Sequence, residues 1–218
     1  MEQNKNKHKI NRKEFMKKLE QSFTDPNFFT KASQDFFNRI KGESFVNDGK
    51  NLIKLVNINK TFPTATKQMN VLFDNVNLSI KRGDVISLIG ANGTGKTTML
   101  DIIVGYQKPT KGTVEYDLDY VLSPTEKFGI SYQRNTLLPS LTVWDYMQFV
   151  HKLYKSSTTI DDLVIFVYAF GIEKFCRMRV NELSGGQQQR LNAMLSLFHN
   201  PEILLLDELC NNLDLNIK

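Results

Sequence analysis

Cysteine is nearly absent: the 218 residues contain two, Cys176 and Cys210. Two cysteines do not make a disulfide scaffold, and a reducing compartment fits them. Long apolar runs are missing as well. A membrane-spanning helix needs roughly 20 apolar residues, and the longest run here, Leu163 to Phe170, has eight. The basic N-terminus is followed by no apolar stretch, so no secretory leader is expected. Excess charge is scarce outside the N-terminus. The chain carries a formal +5, and residues 1–50 hold 11 Lys and Arg against 7 Asp and Glu, a net +4. The remainder is close to neutral, so overall basicity is poor evidence for a nucleic-acid partner. Internal repeats and heptad stretches are also lacking. What is present is 41% hydrophobic residues, enough for one good core. One large domain plus an appendage is expected.

The appendage is residues 1–50, a basic N-terminal extension expected to be partly helical or disordered. Met1 to Lys9 is polar and lysine-rich and reads as disordered. In Arg12 to Phe23, the residues Phe15, Met16, Leu19 and Phe23 form a stripe at helical spacing, which predicts a short amphipathic helix. Asp25-Pro26 ends it. Lys31 to Lys41 reads as a second helix with Phe36, Phe37 and Ile40 on one side. Seven of the 15 Phe lie in this extension. Two uses of the stripe are open: against an anionic membrane surface, or packed on the main domain or a partner. Gly42 to Asn51 reads as a linker.

From Leu52 the texture changes. Leu52 to Ile58 and Val71 to Ile80 predict antiparallel strands joined by Pro63 to Asn70. Lys81-Arg82-Gly83-Asp84 is a turn into Val85-Ile86-Ser87-Leu88-Ile89, an apolar β-branched run of strand length. Gly90-Ala91-Asn92-Gly93-Thr94-Gly95-Lys96-Thr97-Thr98 follows, then Met99 to Val104, a helix closing at Gly105. Strand, glycine loop, Gly-Lys-Thr and helix form the phosphate-binding pattern G-x-x-x-x-G-K-[ST]. The glycines let backbone N–H groups approach phosphate oxygens. The helix start adds N–H groups and a positive dipole end. Lys96 reaches the β- and γ-phosphates in this pattern, and the Thr97 hydroxyl ligates Mg²⁺. Val114 to Leu122 and Phe128 to Tyr132 read as further strands, and Val143 to Met178 as helical with a break at Gly171.

Two later stretches carry chemistry. Ile203-Leu204-Leu205-Leu206-Asp207-Glu208 is an apolar run of the kind a parallel sheet buries, delivering two carboxylates. The first is suited to Mg²⁺, directly or through water. The second is suited to take a proton from an attacking water. Leu183-Ser184-Gly185-Gly186-Gln187-Gln188-Gln189-Arg190 places a capping serine before two glycines at a helix start, a second anion-binding entry.

With these motifs in this order, residues 52–218 resemble the ATP-binding domain of ABC transporters. The resemblance implies an α/β P-loop NTPase fold: a mixed sheet core, an antiparallel β subdomain and an inserted helical subdomain. It makes residues 51–218 the ATP-binding domain. It implies ATP and Mg²⁺ as cofactors. Phe62 would stack on adenine, and Gly90, Ala91, Asn92, Gly93, Thr94, Gly95, Lys96, Thr97 and Thr98 would hold the phosphates. Gln133 would contact Mg²⁺ or the attacking water, beside the groove for a transmembrane partner. Asp207 would hold Mg²⁺ and Glu208 would be the general base. Ser184, Gly185, Gly186 and Gln187 would close on the γ-phosphate of ATP held by the opposite protomer of a head-to-tail pair, with Asp214 in the D-loop. Leu138 to Val143 is like the family's Leu-x-x-x-Leu-Thr-Val.

The implied function is that of an ATP-hydrolysing subunit energising a membrane-spanning permease, peripheral on the cytoplasmic face of the cell membrane. A soluble ATPase of the same family acting on ribosomes or nucleic acid, and a truncated ATP-binding protein, are the alternatives. Two departures stand out. Leu209 replaces the usual proline after the two acids, and Asn212 replaces a glycine, which asparagine tolerates better than other residues. Lys218 comes four residues after Asp214, before the strand of the family's switch histidine. His8, His151 and His199 all precede the D-loop and do not fill that place. The expectation is a domain truncated there, binding ATP weakly and hydrolysing it little alone.

Overall fold

The computed structural model describes residues 11–25, 27–28, 49–63, 69–132, 137–154 and 158–207. The chain divides into two compact units, residues 44–127 and residues 1–43 with 128–218.

In the unit of residues 44–127, β1 (Asn51–Pro63) pairs antiparallel with β2 (Met69–Lys81). On its other edge it pairs antiparallel with β3 (Lys111–Tyr116), giving the order β2-β1-β3. The two long strands bear out the antiparallel reading. Leu52, Ile53, Leu55 and Ile58 of β1 are buried. So are Met99, Ile102, Ile103 and Val104 of the helix α2 (Lys96–Val104). Gly105, at φ 90, ends α2 in the left-handed conformation, its N–H bonding Asp101 and Ile102 carbonyls. The Tyr116 hydroxyl donates to the Ile103 carbonyl at 2.9 Å and fastens α2 to β3.

Two segments expected to be strands differ in the structure. Val85 to Ile89 makes no strand pairing among the described residues, and Val85 and Ile89 are 97% and 92% exposed. The antiparallel strands of its own unit pair with one another instead. An apolar β-branched run states a preference for a buried strand but carries no partner of its own. The strand read over Val114 to Leu122 stops at Tyr116, where pairing with β1 ends at Ile53.

In the other unit, β4 (Phe128–Ser131) pairs in parallel with β5 (Ile203–Leu206). Between them the chain forms α3 (Val143–Leu153), α4 (Ile160–Ala169) and α5 (Gly185–Leu197). Each starts at a hydroxyl cap with a reciprocal partner: Thr142 with Asp145, Thr159 with Asp162, Ser184 with Gln187. Gly171, at φ 60, supplies the break after α4. Gly129 of β4 is required for close packing, because a Cβ there would collide with the Ser196 carbonyl of α5. The core joins Trp144, Met147, Leu163, Val164, Val167, Leu191, Met194 and Phe198.

Helix α1 (Arg12–Ser22) belongs to this core. Phe15 has no exposure and Leu19 has 5%. Their stripe is therefore used inside the protein, against Trp144 and α4. Lys18 pairs with Asp161 at 2.7 Å and Arg177 with Glu20 at 3.4 Å. The second helix expected over Lys31 to Lys41 lies outside the described residues. Cys176 is buried, and burial pushes its thiol up to about 12, so it is not a reactive cysteine.

His199 joins the end of α5 to the start of β4. Its Nε2 lies 3.0 Å from the Phe128 carbonyl, so the ring nitrogen donates. The ring stacks on Tyr154 at 3.8 Å, and buried Nδ1 has no hydrogen-bond partner. Burial holds the imidazole below its ordinary pKa of 6.5, partly offset by the Phe128 carbonyl. Below pH 6.5 the unfolded chain therefore binds more protons than the folded one. This stability is complete above pH about 6.5 and is lost as pH falls through the lower folded value. Urea unfolding followed by Trp144 fluorescence is expected to show a lower midpoint at pH 5.5 than at 7.5. The difference should shrink in His199→Gln; an unchanged difference would exclude His199 as its source.

Candidate functional site

The loop Gly90 to Gly95 is built by local rules. Gly93 and Gly95 have φ 81 and 94, a region that side chains rarely enter. Thr94 Oγ1 donates to the Ala91 carbonyl at 2.8 Å and draws the loop into a ring. Gly95 is the N-cap of α2 and contributes no side-chain cap to that helix start. A helix opening on glycine presents backbone N–H groups and the positive dipole end. Lys96 bends back into the same ring, its Nζ donating to the Gly90 and Ala91 carbonyls at 2.9 and 3.0 Å. The result is a backbone cradle with one ammonium inside, an arrangement suited to an oxyanion.

A β-bulge seats this cradle. Lys60 pairs with Phe73, yet Thr61 pairs with Val71, so Leu72 is an extra residue on β2. In a regular strand, Leu72 and Phe73 would point to opposite faces. Here both approach Gly95: a Cβ at that glycine would lie 2.6 Å from Leu72 Cδ2 and 2.8 Å from Phe73 Cζ. Bulges re-aim side chains in this way beside functional loops. Gly95 is thus demanded twice, by its φ and by its neighbours.

Phe62 lies near the end of β1 in the same unit and is 38% exposed. Lys60 Nζ lies 5.0 Å from the centre of its ring. Sequence reasoning missed Lys60, Leu72 and Phe73. The two-residue spacing of Lys60 and Phe62 was a usable signal, since alternate strand residues share a face. The bulge left no signal, because register is decided between strands.

The remaining residues lie in the other unit. Ser184 and Gln187 hold one another: the Gln187 N–H donates to Ser184 Oγ at 3.3 Å, and the Ser184 N–H to Gln187 Oε1 at 2.8 Å. Gly185 has open space where a Cβ would stand. Gln188 Nε2 donates to the Val180 and Leu183 carbonyls and fixes the chain entering α5. Asp207, 9% exposed, directly follows β5, its N–H donating to the Ser131 carbonyl at 2.9 Å. Gln133, Glu208 and Asp214 lie outside the described residues.

Each unit offers a described oxygen group of the kind expected for a cation, the Thr97 hydroxyl in residues 44–127 and the Asp207 carboxylate in the other. Both are hard oxygen donors, and Mg²⁺ takes few protein ligands and keeps several waters. Among the described residues no group of three or more His, Cys, Asp or Glu could hold a metal ion.

Comparison with known proteins adds independent findings. Residues 73–211 match the family described as ABC transporter. The spermidine/putrescine import ATP-binding protein PotA of Spiroplasma citri is 33% identical over 173 residues, covering 77% of this chain and 48% of that protein. The nitrate import ATP-binding protein NrtD of Synechocystis is 32% identical over 168 residues, covering 76% of this chain and 63% of that protein. Among solved structures, the dimeric post-hydrolysis state of the ATP-binding cassette MJ0796 bound to ADP and Pi is 33% identical, with a TM-score of 0.64. The alignment covers 74% of this chain and 76% of that one. The chain spans about half the length of the PotA proteins it matches.

Proposed function

Because the chain belongs to the ABC transporter family, we propose that it is the ATP-binding and ATP-hydrolysing subunit of a membrane transporter. The observation that carries this reading is the cradle of Gly90 to Thr98, with the Lys96 ammonium drawn inside it by two backbone carbonyls. The cradle and Lys96 hold the phosphates of ATP, and Phe62 stacks on the adenine. Thr97 and Asp207 hold Mg²⁺, together with Gln133. When bound, Mg²⁺ neutralises charge on the β- and γ-phosphates.

Glu208 takes the proton of the attacking water, and Gln133 orients that water. Such chemistry rests on positioning and charge neutralisation more than on covalent catalysis. Ser184, Gly185, Gly186 and Gln187 close on the γ-phosphate of ATP held by a second copy or a like domain, head to tail, with Asp214 at that seam. The mutual capping of Ser184 and Gln187 supports this reading. It holds the helix start in shape and leaves open space at Gly185.

No helix among the described residues is long and apolar enough to cross a membrane. In this proposal the permease is a separate chain and the subunit lies on the cytoplasmic face of the cell membrane, a reading supported by relatives named as import ATP-binding proteins. The named relatives serve import, which favours an importer. They are named for different cargoes, spermidine/putrescine and nitrate, so the likeness fixes no cargo.

The test has two arms with the full chain. Saturable binding of Mg-ATP is expected, and its absence would overturn the nucleotide reading. Co-purification with a membrane-spanning protein is expected from detergent extracts; recovery with ribosomes or nucleic acid instead would overturn the transport reading. Phosphate release that persists in Glu208→Gln would remove Glu208 from the role of base.

A further inference from the structure

We propose that Lys60 is a positioning residue for the base of the nucleotide. It fixes the Phe62 ring from behind and tunes the opposite face for stacking. The inference rests on the ATP-binding reading above and adds a residue to it.

The geometry comes from the end of β1. Lys60 and Phe62 are two residues apart on the strand and share a face. Lys60 Nζ stands 5.0 Å from the ring centre. The same ammonium donates to the Lys108 carbonyl at 2.8 Å. A surface lysine ordinarily samples many rotamers, and one attraction to a ring would not hold it. Here two attractions converge on one group, one from the ring and one from a backbone carbonyl.

That carbonyl is itself anchored. The turn bearing Lys108 is tied to β1 at two further points. The Thr61 N–H donates to Thr110 Oγ1 at 3.1 Å, and the Thr110 N–H donates to the Asn59 carbonyl at 2.8 Å. Asn59 is also paired with Lys111, the first residue of β3. The acceptor that holds the ammonium therefore moves with the strand that carries the ring. Lys60, Phe62 and Lys108 form one rigid piece at this sheet corner.

The chemistry follows from the ring's charge distribution. An aromatic face is negative and attracts a cation placed over it. A cation on one face draws π density toward itself and leaves the other face less negative. An electron-rich purine then stacks on that second face with less repulsion. Phe62 keeps 38% of its surface exposed with the ammonium over the ring, so a second face remains for a base. Stacking on an aromatic side chain is the usual way a protein holds a base without reading its edges.

The same residue links this corner to the phosphate loop. Lys60 is the cross-strand partner of Phe73, and Phe73 abuts Gly95. A ligand held at the loop and at Phe62 is thus measured along one cross-strand pair. A direct role for Lys60 on phosphate does not fit, because its ammonium is committed to the Lys108 carbonyl and the ring. A solvated lysine on a strand end would show neither contact.

The experiment compares two ligands on the full chain: Mg-ATP and inorganic tripolyphosphate, which has phosphates and no base. In Lys60→Met, which keeps the aliphatic stem, ATP affinity is expected to fall about two- to fivefold, as a partly exposed cation–π contact predicts. Tripolyphosphate affinity is expected to stay unchanged, which also reports that the loop is folded. Lys60→Arg is expected to restore ATP affinity, since a guanidinium also stacks on a ring. An equal loss for both ligands would overturn the proposal in favour of a general charge effect. Unchanged ATP affinity in Lys60→Met, with a loss in Phe62→Ala, would overturn it and leave the role of Phe62 standing. Unchanged ATP affinity in Phe62→Ala would remove both.

Discussion

Replacing Lys96 by alanine is expected to lower ATP affinity by about 10²-fold. The magnitude follows from one charge-assisted hydrogen bond to phosphate, worth about 1.5–3 kcal/mol. The side chain already lies inside the loop, donating to the Gly90 and Ala91 carbonyls at 2.9 and 3.0 Å. Binding exchanges these neutral acceptors for phosphate oxygens of full charge, so most of the interaction is gained only with the nucleotide present. The backbone does not depend on the ammonium for its shape. Gly93 and Gly95 set their own positive φ, and Thr94 closes the ring through Ala91. The variant is therefore expected to keep its fold and lose its ligand. Lys96→Arg is expected to recover little, because a planar fork does not fit where a compact ammonium is clasped. Equilibrium titration with Mg-ATP decides the matter, and a loss below about threefold would show that Lys96 does not touch phosphate in the complex.

Replacing Phe15 by alanine is expected to destabilise the unit of residues 1–43 and 128–218 by about 3–5 kcal/mol. The ring has no exposure and lies 4.8 Å from the Trp144 ring, centre to centre. Removing it opens a cavity beside the largest side chain of the core, where the surrounding helices cannot easily collapse. That loss is a large share of the roughly 5–15 kcal/mol that a domain has to spare. Trp144 is the only tryptophan in the chain, so its fluorescence follows unfolding of this unit directly. Lys18→Ala is the control. It removes the 2.7 Å pair with Asp161, whose side chains are 33% and 45% exposed, and such pairs are worth about 0–1 kcal/mol. A Phe15→Ala loss no larger than the control's would show that α1 is not part of this core.

Much of the site was legible because its rules are short-range. A loop of glycines before Lys96 and Thr97 needs positive φ at Gly93 and Gly95, and it has it. Ser184 before two glycines and Gln187 is a capping box within four residues, and both of its hydrogen bonds are present. Gly105 stops α2, and Gly171 breaks the chain after α4. The order of these motifs along the chain carries the family resemblance. The apolar run at Ile203 likewise became a parallel strand beside β4, although Leu204 and Leu206 keep 40% and 46% of their surface exposed.

What stayed illegible depended on partners distant along the chain. The stripe of Phe15 and Leu19 could face a membrane or a protein core with the same spacing. Only the presence of Trp144 and α4 across from it decided the matter. The apolar content of Val85 to Ile89 did not secure a strand partner among the described residues. The bulge at Leu72 arises from a mismatch of register between β1 and β2, and it turns two neighbouring side chains onto Gly95. The place of Lys60 over Phe62 depends on a carbonyl nearly fifty residues away in the chain. The amino-acid sequence by itself determined the phosphate loop, the capped helix start, the parallel strand leading into Asp207 and the family, because each rests on contacts within a turn or on a period along one element. The tertiary structure alone decided which face α1 buries, how the loop is seated and what stands behind Phe62, because pairing and packing are relations between elements that no single element encodes.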